Sequence, residues 1–328
     1  MSLGEFGLIG RYFQQAVLQQ AGGHDAVALG IGDDAALLQP APGCQWVIST
    51  DSLVQGVHFP EHYDPHDLGY RALAVAVSDL AAMAARPLGF TLALTMPTVD
   101  ENWLEAFSAG LACCAADHRI SLIGGDTTRG PLNIGITVYG EVARDRALRR
   151  SGAQPGDLLC VGGPLGDGAA GLAVVLQQEL PDALQTDARC YLTERFWRPR
   201  AQCELGMALS GVASAGMDIS DGLLQDAGHL ARASDVALHI DSQALPASSA
   251  LQAWPRAQQL EWMLRGGDDY VLLFSLPAAS APLIDGWQQQ GWAVRIIGQV
   301  SEGEGVWMDG QRASAQGGYQ HFKDSNNG

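Results

Sequence analysis

Lysine is almost absent from this chain. Of the 19 Lys and Arg residues among 328, only Lys323, near the C-terminus, is a lysine. A P-loop needs a lysine after its glycines, a Schiff-base enzyme needs a buried one and a protein kinase needs one on a strand, so all three classes are excluded. Phosphates, if handled at all, fall to Arg, backbone N–H groups and metal ions. Basic charge is scarce overall. The formal net charge of -17 argues against nucleic acid or an anionic membrane as partner. No apolar run approaches the ~20 residues of a membrane span, and Met1-Ser2-Leu3-Gly4-Glu5-Phe6 does not read as a signal peptide. The six cysteines have no zinc-like spacing and read as reduced thiols of a cytoplasmic protein.

Carboxylates are plentiful, and they sit in unusual places. Gly30-Ile31-Gly32-Asp33-Asp34-Ala35-Ala36-Leu37-Leu38 sets two adjacent acids between glycines and an apolar run. Ionised groups beside a core are costly unless paired or metal-bound. The same grammar recurs in Ile48-Ser49-Thr50-Asp51, Val77-Ser78-Asp79-Leu80, Gly124-Gly125-Asp126-Thr127 and Met217-Asp218-Ile219-Ser220-Asp221-Gly222. The pattern predicts that these words converge. Oxygen donors without interleaved Cys or His suit a hard cation such as Mg2+.

With 47% hydrophobic and 17% charged residues, the chain has a globular balance, and its length fits two domains. Phe6, Ile9, Phe13, Ala16 and Val17 predict an amphipathic helix over Glu5–Val17. Trp46–Thr50 reads as a strand delivering Asp51 at its C-terminal end. His58, His62 and His66 recur every fourth residue, but Pro60 and Pro65 make that stretch a loop. Asp67 caps a long helix to Ala85 in which Asp79 has little polar face. Strands are predicted at 90–95, 120–123 and 132–142, with a helix over 102–116 between the first two. Arg144, Arg146, Arg149 and Arg150 then form either a solvated face or an anion site. Loop composition around Ser151–Asp157 places the domain boundary there, giving domains 1–150 and 151–328.

In the second half, strand 158–161 leads into Gly162-Gly163-Pro164-Leu165-Gly166-Asp167-Gly168, either a phosphate cradle or a tight strand-to-helix turn. Helices follow at 169–177, 199–210 and 223–233, and between the last two the stretch 215–219 carries Asp218 and leads to Asp221. Asp221 is open to an N-cap role; Asp218 is not. Gly266-Gly267-Asp268-Asp269-Tyr270 precedes strand 271–276, and Asp268 either meets a ligand or caps a turn. Each half repeats the strand, glycine and Asp pattern, which points to two related α/β domains.

Taken together, GIGDDAA, ISTD, SDLAAM, GGDTTRG, RSGA, DISDGL, GGDDY and Gly318-Tyr319-Gln320-His321-Phe322 resemble the thiamine-monophosphate kinase family of the aminoimidazole ribonucleotide synthetase superfamily. The resemblance implies a two-domain synthetase-like α/β fold with mixed sheets, and a homodimer in which N-terminal domains pair their sheets. It implies phosphoryl transfer from ATP to thiamine monophosphate with several Mg2+ ions. By motif position, Asp34, Ser49, Thr50, Asp51, Asp79, Asp126, Asp218 and Asp221 resemble metal ligands. Gly125, Asp126, Arg150 and Ser220 resemble ATP contacts, and His58, Asp268 and Tyr319 resemble substrate contacts. No catalytic base is implied, because the acceptor is already an ionised phosphate. The family usually carries Glu where this chain has Asp268. Aminoimidazole ribonucleotide synthetase is the enzyme alternative, and a non-catalytic Mg2+-nucleotide-binding protein is the alternative of another class.

Overall fold

Alternating and helical hydrophobic patterns follow one another along the chain, and they fold into sheets covered by helices. The computed structural model describes residues 5–23, 26–178 and 180–314. They form two units: one holds the chain up to Ala147 together with Trp197–Gly211, the other Leu148–Phe196 and the chain from Val212 on.

The first unit opens with α1 (Glu5–Leu8), a π-helical turn (Ile9–Phe13) and α2 (Ala16–Gln19). The single helix expected over 5–17 is therefore broken. Gln14 donates its N–H to Ile9 O, one residue beyond the α-helical register, and Gln15 is extended with ψ 139°. The wider turn lets the neighbours Tyr12 and Phe13 both be buried, which a straight amphipathic helix does not favour.

There follow β1 (Val27–Leu29), β2 (Leu37–Leu38), β3 (Cys44–Val54), α3 (Pro65–Ala82), β4 (Arg86–Met96), α4 (Glu101–His118), β5 (Ser121–Arg129) and β6 (Asn133–Ala143). The sheet order is β3-β6-β4-β5. β6 pairs antiparallel with β3 and β4, while β4 and β5, joined through α4, run parallel. Ile134, Ile136 and Val138 point every second side chain of β6 into the core. The N-cap of α3 is Asp64, not Asp67: Asp64 accepts the His66 N–H at 2.8 Å, and Pro65 occupies the first turn, where its missing donor costs nothing. Asp67 instead pairs with Arg198 at 2.7 Å.

Helix α3 is buried on nearly all sides. α4 packs against it antiparallel, since position 66 lies beside 110 and 69 beside 107. Glycines make this close approach possible: a Cβ on Gly69 would lie 2.2 Å from Phe107 O, and one on Gly110 only 1.8 Å from His66 O.

The second unit contains β7 (Leu158–Val161), α5 (Asp167–Val175) and α6 (Thr186–Trp197). The chain then returns to the first unit for α7 (Cys203–Leu209), packed on α3. It resumes with β8 (Ala215–Asp218), α8 (Leu223–Ser234), β9 (Ala237–Ile240), α9 (Arg256–Arg265), β10 (Leu272–Leu276), α10 (Leu283–Gln289), β11 (Arg295–Ser301), β12 (Gly305–Met308) and β13 (Gln311–Arg312). These strands form one mixed sheet, β13-β12-β9-β11-β7-β10-β8. Leu159, Val161, Met217, Leu223, Leu230 and Leu273 form part of its core. No described helix is long and apolar enough to cross a membrane.

The α3–α4 contact gives a direct test. Gly110→Ala forces the two helices apart and should destabilise the protein by about 2 kcal/mol, within the range for overpacking. Gly286→Ala, whose Cβ would meet nothing within 4 Å, serves as control. Equal urea midpoints for the two variants would rule out the glycine contact as a constraint.

Candidate active site

Strands β1 and β2 pair and leave the acidic segment Gly30–Ala36 between them as a loop. This loop faces β5 across a cavity of about 460 Å³. Asp33 and Asp34 from the loop and Asp126 from β5 line it, beside an apolar wall that includes Ile9, Phe13 and Leu122. Among the described residues no basic side chain lines it, and neither Asp34 nor Asp126 has an ion-pair partner. Three like charges facing one cavity repel, and a cation is the species that relieves them.

Asp126 and Gly125 lie within a strand rather than after one, because β5 runs on to Arg129. Gly125 is required by its neighbour: a Cβ there would lie 2.1 Å from Leu92 O on β4. β3 likewise extends to Val54, so Asp51 is mid-strand and not at the C-terminal end. Ser49 donates its hydroxyl to Asp79 Oδ2 on α3 at 2.5 Å, and Asp51, two residues on, shares that face of the strand. Thr50 faces the other way, its Oγ1 2.9 Å from Thr137 Oγ1. His58 accepts the Val54 N–H on Nδ1 at 3.0 Å, which leaves the proton of the neutral ring on Nε2.

In the second unit β8 ends at the buried Asp218, and the loop to α8 carries Ser220 and Asp221. The N-cap of α8 is Gly222, not Asp221. Asp221 accepts Gln225 Nε2 at 2.8 Å. The loop is held by Asp226, whose Oδ2 accepts the backbone N–H of Ser220 at 3.2 Å and of Asp221 at 3.1 Å. Burial, with Asp221 and Asp218 nearby, pushes the Asp226 carboxyl up to about 8 against those two donors. At the other end of α8, Ser234 donates to the Arg150 carbonyl at 3.0 Å and accepts N–H bonds from Gly152 and Ala153 at 3.1 Å each. One helix thus positions two of the expected nucleotide-contacting segments. Sequence reasoning missed both residues. Asp226 carried the signal already used at Asp79, a carboxylate among apolar helical neighbours; Ser234 carried none.

The glycine-rich turn before α5 is not a phosphate cradle. Its Gly166 and Gly168 N–H groups donate to Asp269, at 2.8 Å to Oδ2 and 3.1 Å to Oδ1, so the helix N-terminus is filled by the protein's own carboxylate. Asp269 is fully buried, and burial pushes its carboxyl up to about 7. Beside it Asp268 accepts the Tyr270 hydroxyl at 3.1 Å and donates its N–H to Ser220 O at 2.9 Å. Tyr319 lies outside the described residues.

The sequence and fold match known proteins. The AIR synthase related protein N-terminal domain matches residues 32–142, and the corresponding C-terminal domain matches 154–309. The thiamine-monophosphate kinase of Salmonella typhimurium is 46% identical over 98% of this chain and 99% of its own length. The crystal structure of thiamine-monophosphate kinase from Stenotrophomonas maltophilia K279a is 44% identical, with a TM-score of 0.85 over 95% of this chain and 99% of that one. The chain belongs to the thiamine-monophosphate kinase family. A further relative of known structure, 32% identical with a TM-score of 0.76 over 98% of this chain and 97% of that one, was solved complexed with AMPPCP and TMP.

Does the site fit the Mg2+ that the family resemblance implies? Among the described residues no three His, Cys, Asp or Glu side chains are grouped to hold a metal by themselves. Mg2+ does not require such a cage, since it usually keeps water and binds one or two carboxylates together with substrate phosphates. The all-oxygen donors Asp34 with Asp126, and Ser49 with Asp79, meet that demand. Ligand-linked stability tests the fit. Saturating Mg2+-ATP should raise the melting temperature by several degrees, and Asp34→Asn/Asp126→Asn should lose most of that rise. An equal rise in wild type and double variant would remove these two residues from the cation site.

Proposed function

We propose that this chain transfers the γ-phosphoryl group of ATP to the phosphate of thiamine monophosphate, giving thiamine diphosphate and ADP. The observation that carries the reading is membership of the thiamine-monophosphate kinase family over nearly the whole chain, at 46% identity to a curated member. The complex of a relative with AMPPCP, a non-hydrolysable ATP analogue, and TMP supports the same pair of substrates here.

The chemistry asks for positioning and charge neutralisation rather than for a base. A phosphate oxygen of the acceptor attacks Pγ in line, the bond from Pγ to the bridging oxygen breaks, and the electron pair leaves on ADP. With a second pKa of about 6, the acceptor monoester is already ionised at neutral pH. Bound Mg2+ would screen the repulsion between the two anions. Asp34, Ser49, Thr50, Asp51, Asp79, Asp126, Asp218 and Asp221 are the residues assigned to the metals. Gly125 and Ser220 are assigned to the nucleotide, and Arg150 supplies positive charge to its phosphates. His58, with its Nε2 proton, and Asp268 take the acceptor. A cytoplasmic location accords with ATP as co-substrate and with Cys114, Cys160 and Cys203, which are buried free thiols.

The test is an assay of ADP and thiamine diphosphate from purified protein with Mg2+, ATP and thiamine monophosphate. Asp126→Asn and Asp79→Asn keep the shapes but remove charge, so turnover should fall roughly a hundredfold in each if a metal is misplaced. ADP formation that ignores thiamine monophosphate, or two variants with normal turnover, would overturn the reading.

We also propose a homodimer. β3 is an edge strand of eleven residues among the described strands, and it exposes Trp46 by 38%, Ile48 by 58% and Val54 by 38%. A long apolar edge is a template for pairing with a second copy. Sedimentation equilibrium should give a dimer for wild type and a monomer for Ile48→Asp. A wild-type monomer at micromolar concentration sinks the proposal.

A further inference from the structure

We infer that Asp269 is a positioning residue for Asp268: its buried carboxylate, docked on the N-terminus of α5, sets where the neighbouring side chain reaches. This rests on the reading of Asp268 as a contact to the thiamine monophosphate acceptor.

The backbone of the loop is unusual. Gly267, Asp268 and Tyr270 all have left-handed φ values, +66°, +59° and +50°, a region that non-glycine residues enter at a cost and keep only when their surroundings hold them. The restraints here are specific. The N–H of Asp268 donates to Ser220 O at 2.9 Å and that of Tyr270 to Ile219 O at 2.8 Å, so residues on either side of Asp269 are tied to the loop after β8. Between them Asp269 is fixed from the opposite direction. Its two carboxylate oxygens take the Gly166 and Gly168 N–H groups, and its carbonyl oxygen accepts Arg195 Nη2 at 3.1 Å. A bidentate carboxylate on paired amides fixes direction as well as distance. The mainchain of Asp268 is therefore set on both sides, and its side chain accepts the Tyr270 hydroxyl at 3.1 Å.

Asp268 has a short side chain with two torsions, so its reach depends on the mainchain that carries it. Asp269 itself is 1% exposed and meets no substrate. Its effect has to pass through its neighbour, which gives it a kinetic signature distinct from a general loss of folding.

Steady-state kinetics of four forms decide the matter: wild type, Asp268→Asn, Asp269→Asn and the double variant. Each single variant should raise the KM for thiamine monophosphate roughly tenfold while kcat and the KM for ATP stay within about twofold, the mark of lost ground-state binding. The double variant should be no worse than the poorer single one, because residues acting as a unit are not additive. If Asp269→Asn does not fold, Arg195→Gln, which removes the bond to the Asp269 carbonyl together with the positive charge beside Asp269 and Asp167, should show the same KM effect in smaller size. Multiplied effects in the double variant, or unchanged KM in Asp269→Asn or in a folded Arg195→Gln, would overturn the positioning role and leave Asp268 as a substrate contact. An unchanged KM in Asp268→Asn would instead remove the substrate contact, and the positioning inference with it.

Discussion

Carboxylates held by backbone amides, rather than by basic side chains, are the interaction on which this structure depends. Asp64 and Asp100 start α3 and α4 by accepting mainchain N–H bonds, Asp226 holds the loop after β8 and Asp269 fills the start of α5. In a chain with a net charge of -17 and one lysine, amides are the donor the fold has in surplus. The choice has an electrostatic consequence. An amide stabilises a carboxylate without cancelling its charge, so burial still pushes Asp226 up to about 8 and Asp269 up to about 7. An arginine in the same place would have neutralised the charge and satisfied the oxygens together.

Much of the architecture was legible in local pattern. β6 alternates, β7 is a short apolar run ending in glycines, and α3 and α4 show long helical spacing; each formed close to where its pattern put it. At Asp79 the same local pattern called for a partner to an acid among Val77, Leu80 and Ala81, and the carboxylate accepts the Ser49 hydroxyl. What stayed hidden was long-range. Gly124–Arg129 carries loop composition, yet it is strand because β4 pairs with it through α4. The turn before α5 could not be decided in any local window, because the carboxylate that fills it comes from 103 residues away.

Caps failed in a different way. At α3 and α8 several polar residues precede the helix, and each makes a plausible first acceptor. At α3 proline decided the matter, since Pro65 suits the first turn and leaves Asp64 outside it. At α8 the usual logic was displaced: Gly222 with φ +113° is the N-cap, and the donors ahead of it are served from within the helix by Asp226. That arrangement leaves the side chain of Asp221 outside the cap. A helix that satisfies its entry loop from its own first turn releases the residues of that loop for other partners.

The same division runs through the acidic residues as a whole. Asp226 and Asp269 accept two amides each, and their oxygens are committed to holding loops in place. Asp33, Asp34 and Asp126 are exposed to one cavity; among the described residues they meet no basic group, and their remaining lone pairs face solvent or ligand. Exchanging the roles would weaken both: a cavity carboxylate saturated by amides is a poor cation ligand, and a buried one without amides bears an uncompensated desolvation cost. Charge left unbalanced by the fold at the cavity is balanced only by what binds there. A cation carried with an anionic substrate meets that condition better than either ion alone, because the carboxylates attract the metal and the metal makes the phosphates tolerable beside them.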